Sequence, residues 1–169
     1  MDSTMFLALA LACAPQVDAG TARALVAVES GFNPHAIGVV GGALVRQPRH
    51  RAEALATARA LHAGGWNFSI GLAQINVRNL ARLGLSIDSA FDPCANLTAM
   101  QVVLGECFER ASTRDGPDQR AHQRALRHAL SCYYSGNFVT GIKHGYVHRV
   151  VAASAGRPSP ASLTPKESS

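Results

Sequence analysis

Alanine and leucine are abundant along the chain, whereas the β-branched and aromatic residues that favour strands are thinly scattered. Because alanine and leucine have high helix propensities, this composition predicts a mainly helical fold. The 169 residues, of which 47% are hydrophobic and 16% charged, suit one globular domain. We expect that domain over residues 1–155, followed by a disordered tail at 156–169 that is rich in proline and serine.

Residues that start and stop helices divide this domain into segments joined by short connections. Asp18 is a suitable N-cap for one helix, and Asp92 precedes the longest one. A polar loop is expected at 113–119, and short strands or a hairpin are expected within 37–45 and 66–71. The predicted helices cover residues 5–12, 18–30, 51–62, 76–84, 93–110, 120–134 and 142–155.

Residues 5–12 form an apolar run that resembles the hydrophobic region of an export signal. Only the acidic Asp2 precedes this run closely, where an export signal carries Lys or Arg, and the run is too short to span a bilayer. We therefore expect a first buried helix here and no membrane span, and the route of any export stays open.

The four cysteines are Cys13, Cys94, Cys107 and Cys132, and none of them belongs to a C-x-x-C pair. This argues against a zinc ribbon or a thioredoxin motif, and leaves either four buried thiols or two disulfides in an oxidising compartment. On one helix Cys94 and Cys107 would lie roughly 20 Å apart, beyond the ~7 Å Cα limit, so we do not expect them to pair. If disulfides form, we favour Cys13 with Cys94 and Cys107 with Cys132.

The net charge of +5 at pH 7 describes either a solvated basic surface or attraction to a polyanion. A polyanionic partner would be nucleic acid, a membrane, or a cell wall that carries peptide carboxylates. The strongest nucleic-acid feature is a basic helix face formed by Arg120, Arg124, Arg127 and His128. Since no recognised nucleic-acid-binding motif accompanies it, we expect a solvated face and no nucleic-acid partner.

His144 and His148 are four residues apart, the spacing of a zinc-binding pair on one helix face. No third ligand stands at a telling spacing, so we favour two surface or groove histidines. We expect neither a metal nor a cofactor.

Glu29 stands at the end of an otherwise apolar helical stripe. Ala22, Leu25, Val26 and Glu29 follow the i, i+3, i+4, i+7 pattern that places residues on one helix face. A carboxyl group in this position pairs with a cation, reaches water at the rim, or keeps its proton because burial raises its pKa. The last case is what a general acid near neutral pH requires. The pattern alone leaves a rim glutamate and a catalytic acid both open.

Three short stretches carry further polar and aromatic groups. Residues 29–34 place the acid before a tight exit turn, and residues 132–137 end a helix with two tyrosines. Residues 71–76 contain Gln74 and Asn76, whose amides suit sugar recognition because each offers both donors and acceptors. Each stretch also has a structural interpretation, namely helix capping for Asn76 and core packing for the tyrosines.

In this order and at these distances, the three stretches resemble the motifs of the lysozyme-like lytic transglycosylases, most closely the VirB-type members that accompany bacterial type IV secretion systems. Glu-Ser-Gly at 29–31 resembles the catalytic acid motif, and 71–76 resembles Gly-Leu-(Met or Ala)-Gln-Ile-Asn. Residues 132–136 resemble Ala-Tyr-Asn-Ala-Gly, but Tyr134 stands where the family usually has Asn, and Ala73 replaces the commoner Met. The resemblance covers roughly residues 5–150.

The resemblance implies a goose-type or soluble lytic transglycosylase-like helical domain with a small β-hairpin or sheet beside a groove. It implies that Glu29 is the catalytic acid and that Ser30, Gln74, Asn76 and Tyr133 bind substrate. It also implies a monomer of the periplasm or cell envelope that acts on peptidoglycan glycan strands and serves a type IV secretion system.

The resemblance further implies a reaction with one acid. Most glycosidases use two carboxyl groups, but between residues 30 and 97 the acids are only Glu53, Asp88 and Asp92. Glu29 would protonate the oxygen between N-acetylmuramic acid and N-acetylglucosamine and then deprotonate the muramoyl C6 hydroxyl, which attacks C1 and gives a 1,6-anhydro product. The N-acetyl group or an oxocarbenium-like state would hold the positive charge. A goose-type lysozyme that uses water and a wall-binding subunit without catalysis remain alternatives.

Overall fold

The computed structural model describes residues 1–115 and 118–156, so the predicted tail lies, apart from Gly156, outside the described residues. The described helices are α1 (Ser3–Cys13), α2 (Ala19–Ser30), α3 (Arg51–Ala63), α4 (Pro93–Asp115), α5 (Gln119–Ser135), α6 (Thr140–Lys143) and α7 (Tyr146–Ser154). The strands β1 (Ile37–Val39), β2 (Phe68–Ile70) and β3 (Ile75–Asn76) form one antiparallel sheet in that order. The predicted mainly helical fold with a small sheet is confirmed.

Side-chain caps explain where α2 and α4 begin, and a glycine explains where α2 ends. The Asp18 carboxylate accepts a hydrogen bond from the backbone N–H of Thr21 at 2.8 Å, so Asp18 caps α2 as the sequence predicts. The Asp92 carboxylate accepts one from the backbone N–H of Ala95 at 2.8 Å in the first turn of α4. Gly31 ends α2 at φ 58°, a left-handed conformation that glycine adopts without steric cost.

Two predicted helices are wrong in kind or extent. Residues 76–84 do not form an α-helix. Asn76 belongs to β3, Gly84 adopts a left-handed conformation, and two short 3₁₀ turns, Val77–Asn79 and Ala81–Leu83, lie between them. The predicted helix at 142–155 is divided into α6 and α7, because Gly145 adopts φ 72° between them.

Two further boundaries differ from the prediction. Helix α4 continues to Asp115, so the first three residues of the loop predicted at 113–119 are helical. Within 37–45, only the first three residues pair as a strand, and the glycines that follow belong to a turn.

The sheet separates polar from apolar side chains. Ile37 pairs with Ile70, and Ser69 pairs with Asn76 in the next strand. Because successive side chains of a strand point to opposite faces, Phe68 and Ile70 are buried in the core while Ser69 lies on the other face. The sheet therefore presents polar groups, including Asn76, on the side away from the core.

The core forms mainly where α4 packs against α5 and where α2 packs against α7. Leu25 and Val26 of α2 are fully buried, as are Leu97 and Met100 of α4. Packing of α2 against α7 brings the C-terminal end of α2 close to the N-terminal end of α7, and this proximity positions the site described below.

Helix α1 is the first buried helix that the sequence predicts, but only one of its faces is buried. Phe6 and Ala10 lie in the core, whereas Met5 and Leu11 are exposed. The Phe6 ring meets the ring of Phe32 edge to face at 5.2 Å, which fixes α1 against the exit turn of α2. Among the described residues, no helix is long and apolar enough to cross a membrane.

Two disulfides link helices that are distant in sequence. Cys13 is bonded to Cys94, with 5.2 Å between their Cα atoms, and this bond links α1 to α4. Cys107 is bonded to Cys132, with 5.8 Å between their Cα atoms, and this bond links α4 to α5. Of the two possibilities that the sequence leaves open, the structure has two disulfides, in the pairings that we favour if disulfides form.

Candidate active site

A groove of about 530 Å³ opens between the end of α2, the polar face of the sheet and the ends of α5 and α6. It brings together four of the predicted site residues: Glu29, Gln74, Asn76 and Tyr133. Glu29 is the only acidic side chain among the described residues that line it.

Glu29 reaches the groove because it ends the buried stripe of α2. Ala22, Leu25 and Val26 are fully buried, and Glu29 follows them at the point where the helix emerges from the core. Burial raises the pKa of the Glu29 carboxyl from 4.5 to about 7, although a hydrogen bond from Tyr146 and the positive charge of Arg149 oppose this rise. At neutral pH the side chain is therefore a mixture of acid and carboxylate, as a proton donor that is later a base requires.

Tyr146 holds the Glu29 carboxyl in place. The Tyr146 hydroxyl donates a hydrogen bond to Glu29 Oε1 at 2.5 Å, and its ring is buried at the start of α7. Burial and the adjacent Glu29 raise the pKa of Tyr146, so the hydroxyl keeps its proton and acts as a donor. No pattern in the sequence singles out Tyr146, since a helix predicted to start at residue 142 hides the break at Gly145 that positions this side chain.

The other three acids considered in the sequence are engaged away from the groove. Glu53 forms an ion pair with Arg46, and Asp88 accepts a hydrogen bond from Arg51 at 2.6 Å. The Asp92 carboxylate caps the first turn of α4. No second carboxyl group among the described residues lines the groove opposite Glu29. The described residues therefore lack the two-carboxylate arrangement of most glycosidases.

Gln74 lines the groove from a strained turn. Its backbone has φ 51°, and its amide nitrogen donates to the carbonyl oxygens of Ala36 at 3.1 Å and Gly71 at 3.0 Å. The amide oxygen lies against Gly38, where a Cβ atom would come within 2.6 Å of it. The amide nitrogen of Gln74 therefore fastens the turn to the residue that precedes β1.

Asn76 combines its place in the groove with the cap that its alternative interpretation predicts. Its side-chain oxygen accepts from the backbone N–H of Arg78 at 3.0 Å and so caps the first 3₁₀ turn. Its side-chain nitrogen donates to the side-chain oxygens of Asn67 at 2.9 Å and Ser69 at 3.4 Å. Any contact with substrate adds to these structural bonds.

Tyr133 lines the groove, and its hydroxyl makes a hydrogen bond that stabilises the fold. The hydroxyl donates to the carbonyl oxygen of Ala73 at 2.7 Å, which ties the end of α5 to the turn that carries Gln74. Ser30 is not among the described residues that line the groove, and its hydroxyl donates to the carbonyl of Val26 at 3.3 Å within α2.

Asn96 is a further structural residue that supports the same turn. Its buried side chain accepts from the backbone N–H of Ala73 at 2.8 Å and donates to the carbonyl oxygens of Ile70 at 3.0 Å and Ala90 at 2.8 Å. Gly71, at φ 82°, makes room for it, because a Cβ atom there would stand 2.3 Å from the Asn96 side-chain nitrogen. This explains physically why the stretch at 71–76 begins with glycine.

A family model described as the transglycosylase SLT domain matches residues 6–146. The chain belongs to this SLT family. The type IV secretion system protein virB1 of Brucella suis is 50% identical over 165 residues, which cover 95% of this chain and 68% of that protein. The protein virB1 of Agrobacterium fabrum is 35% identical over 159 residues, which cover 92% of this chain and 61% of that protein. No solved structure gives a significant match.

Membership of the SLT family confirms the predicted lysozyme-like helical fold and the enzyme class, a lytic transglycosylase. The groove, with Glu29 at its edge, lies within the matched residues.

Two further aromatic side chains, Tyr134 and His144, line the groove. Tyr134, at the position where the family usually has Asn, stacks on Tyr146 with 4.6 Å between ring centres and 21° between ring planes. His144 meets Tyr134 edge-on at 6.0 Å.

His144 lines the groove, whereas His148 lies on α7 and is exposed. Within residues 1–115 and 118–156, no group of three or more His, Cys, Asp or Glu side chains is arranged to hold a metal ion.

Proposed function

We propose that this lytic transglycosylase cleaves the β-1,4 bond between N-acetylmuramic acid and N-acetylglucosamine in peptidoglycan, with Glu29 as its single catalytic acid and base. The observation that carries the proposal is a carboxyl group that is the only one among the described residues lining the groove, and whose pKa, at about 7, lies far above that of an ordinary glutamate. The roles of the individual side chains rest on this geometry and on general chemistry.

In the first step, protonated Glu29 donates its proton to the glycosidic oxygen, and the bond to C1 of the muramoyl residue breaks. Burial favours this transfer because the neutral acid is the more stable form up to about pH 7. The positive charge that develops at C1 is held by the substrate, as an oxocarbenium-like state or by its N-acetyl group. No second carboxylate is needed for this role.

In the second step, Glu29 is a carboxylate and removes the proton from the muramoyl C6 hydroxyl, whose oxygen attacks C1. The product is a 1,6-anhydromuramoyl end, and Glu29 regains its proton. Tyr146 stabilises the intermediate carboxylate with its hydrogen bond to Oε1, because a hydrogen bond to the charged form favours that form.

We assign substrate binding to Gln74, Asn76 and Tyr133 because all three line the groove. Ser30 is assigned instead to support of the end of α2, since its hydroxyl is bonded to a carbonyl within the helix.

We also propose that the enzyme acts in the periplasm or cell envelope and opens the wall locally for a type IV secretion system. The Brucella suis relative is a type IV secretion system protein, and this similarity supports the role. Two disulfides fit an oxidising compartment, and a net charge of +5 favours attraction to the carboxylates of wall peptides.

Digestion of purified sacculi, followed by mass spectrometry of the products, tests the reaction. We expect 1,6-anhydro products, each lighter by one water than the corresponding hydrolytic product, and we expect none with Glu29→Gln. Hydrolytic products would show a goose-type lysozyme instead, and intact sacculi with the wild-type enzyme would show a wall-binding protein. Retained cleavage by Glu29→Gln would overturn the assignment of the acid.

A further inference from the structure

Tyr134 lines the groove and is substantially exposed. Its side chain is 43% exposed, whereas Tyr146 beneath it is 2% exposed. The ring leaves apolar surface exposed to water, and a bound apolar surface would cover it. The ring lines the same groove as Glu29.

Neighbouring side chains fix the orientation of this ring. One face of Tyr134 stacks on Tyr146 at 4.6 Å, and its hydroxyl lies 3.4 Å from His144 Nδ1. Arg149 donates to the carbonyl of His144 at 3.3 Å and lies over the Tyr146 ring, so this packed group is braced from the side of α7. With one face covered and one edge held, the exposed part of the ring is presented to the groove.

We propose that Tyr134 is a stacking platform for a sugar ring in the subsite next to Glu29, held in position by Tyr146 and His144. The proposal rests on the proposed function and names a binding residue for the same groove. The ligand is a pyranose ring, whose face of C–H groups packs on the electron-rich face of tyrosine. An amide at this position would offer hydrogen bonds but no such surface.

The nearest structural alternative is that Tyr134 acts only through Tyr146. It would then shield the hydrogen bond between Tyr146 and Glu29, and its removal would change the acid rather than the affinity for the glycan. The two roles differ in what they change, since a platform affects binding and a shield affects kcat and its pH dependence.

Binding is measured by calorimetry in the Glu29→Gln background with a soluble tetrasaccharide of alternating N-acetylglucosamine and N-acetylmuramic acid. We expect Tyr134→Ala and Tyr134→Asn to raise Kd roughly five- to tenfold, the usual size of an aromatic stacking contribution. Tyr134→Phe, which keeps the ring, should stay within about twofold. Val139→Ala removes a half-exposed side chain near the same helix end that does not line the groove, and it should leave Kd unchanged.

Kinetics with the active enzyme on soluble glycan strands complete the test. We expect Tyr134→Asn to raise KM with little change in kcat and no shift in the pH at which activity falls. An unchanged Kd and KM, or a lowered kcat with a shifted pH profile, would overturn the proposal. Because Glu29→Gln alone tests the acid, a failure of the platform is distinguishable from a failure of the proposed function. Tyr134→Asn keeps the test valid if Tyr134→Ala fails to fold.

Discussion

Glu29 and Glu53 lie in two regions of the molecule that shift the pKa of a glutamate carboxyl group in opposite directions. In the groove, burial raises the pKa of Glu29 to about 7. On α3, hydrogen bonds from the Arg46 side chain and the Arg49 backbone lower the pKa of Glu53 to about 2. At neutral pH the first is close to half protonated and the second is fully ionised.

The local environment, rather than the residue type, therefore decides which carboxyl group can donate a proton. Glu53 has cationic and N–H partners that stabilise its charge, so it can only accept. Among the described residues, Glu29 accepts one hydrogen bond, from the neutral Tyr146 hydroxyl, and it is poorly solvated, so the proton is held until substrate accepts it. The predictions below test this difference in order of decreasing effect.

Glu29→Gln should lower cleavage of sacculi roughly a thousandfold or more, because the amide cannot donate or accept the proton. Glu53→Gln is the matched control and should stay within about twofold of the wild type. Anhydromuropeptide release measures both. Comparable losses in the two variants would show that the environments do not separate their roles.

The pH dependence of stability should reveal the same difference. The pKa of Glu29 rises on folding, so its contribution to stability is fully present below the unfolded value of 4.5 and is lost as pH rises through about 7. The wild type should therefore lose roughly 2–3 kcal/mol relative to Glu29→Gln between about pH 4 and pH 8. Urea unfolding of both proteins across this range measures the loss, and parallel stability curves would contradict it.

Tyr146→Phe should lower activity at neutral pH roughly tenfold, because the carboxylate loses the hydrogen bond that positions and stabilises it. The same bond lowers the pKa of Glu29, so its removal should move the high-pH limb of the kcat/KM profile upward by roughly one unit. A limb that moves downward would mean that the hydroxyl does not favour the charged form. Tyr133→Phe is a control for the pH profile alone, since its hydroxyl bonds to the Ala73 carbonyl and not to Glu29, and it should leave the position of the high-pH limb unchanged.

Arg149→Gln should have the smallest effect. The positive charge of Arg149 lowers the pKa of Glu29, so its loss should move the same limb upward by roughly a few tenths of a unit. Arg46→Gln removes the corresponding cation beside Glu53 and should leave the profile unchanged. High salt should reduce the Arg149 shift, and a shift of equal size in both variants would indicate a general charge effect instead.

The helix ends that rest on local signals could be predicted from the sequence. Asp18 as an N-cap and Gly31 as a stop define α2, and the apolar spacing before Glu29 places the acid at the edge of the core. The split at Gly145 could not be predicted, because the apolar pattern continues across it and only the backbone φ shows the break.

The residues of the site likewise include some that the sequence predicts and some that it does not. Glu29, Gln74, Asn76 and Tyr133 are found from motifs in the chain, and the groove brings them together. Tyr146 is missed because its role depends on a contact 117 residues away in sequence, made when α7 packs against α2. Ser30 follows the acid directly in sequence, yet its helical position directs its hydroxyl to the Val26 carbonyl.

The most direct test of the account is a carboxyl ¹³C NMR titration of both glutamates in the free enzyme, with Glu29→Gln and Glu53→Gln used to assign the two signals. The account predicts that Glu29 titrates with a midpoint near pH 7, and that Glu53 stays ionised down to the lowest pH at which the protein remains folded. A midpoint for Glu29 near 4.5, the ordinary glutamate value, would contradict the account.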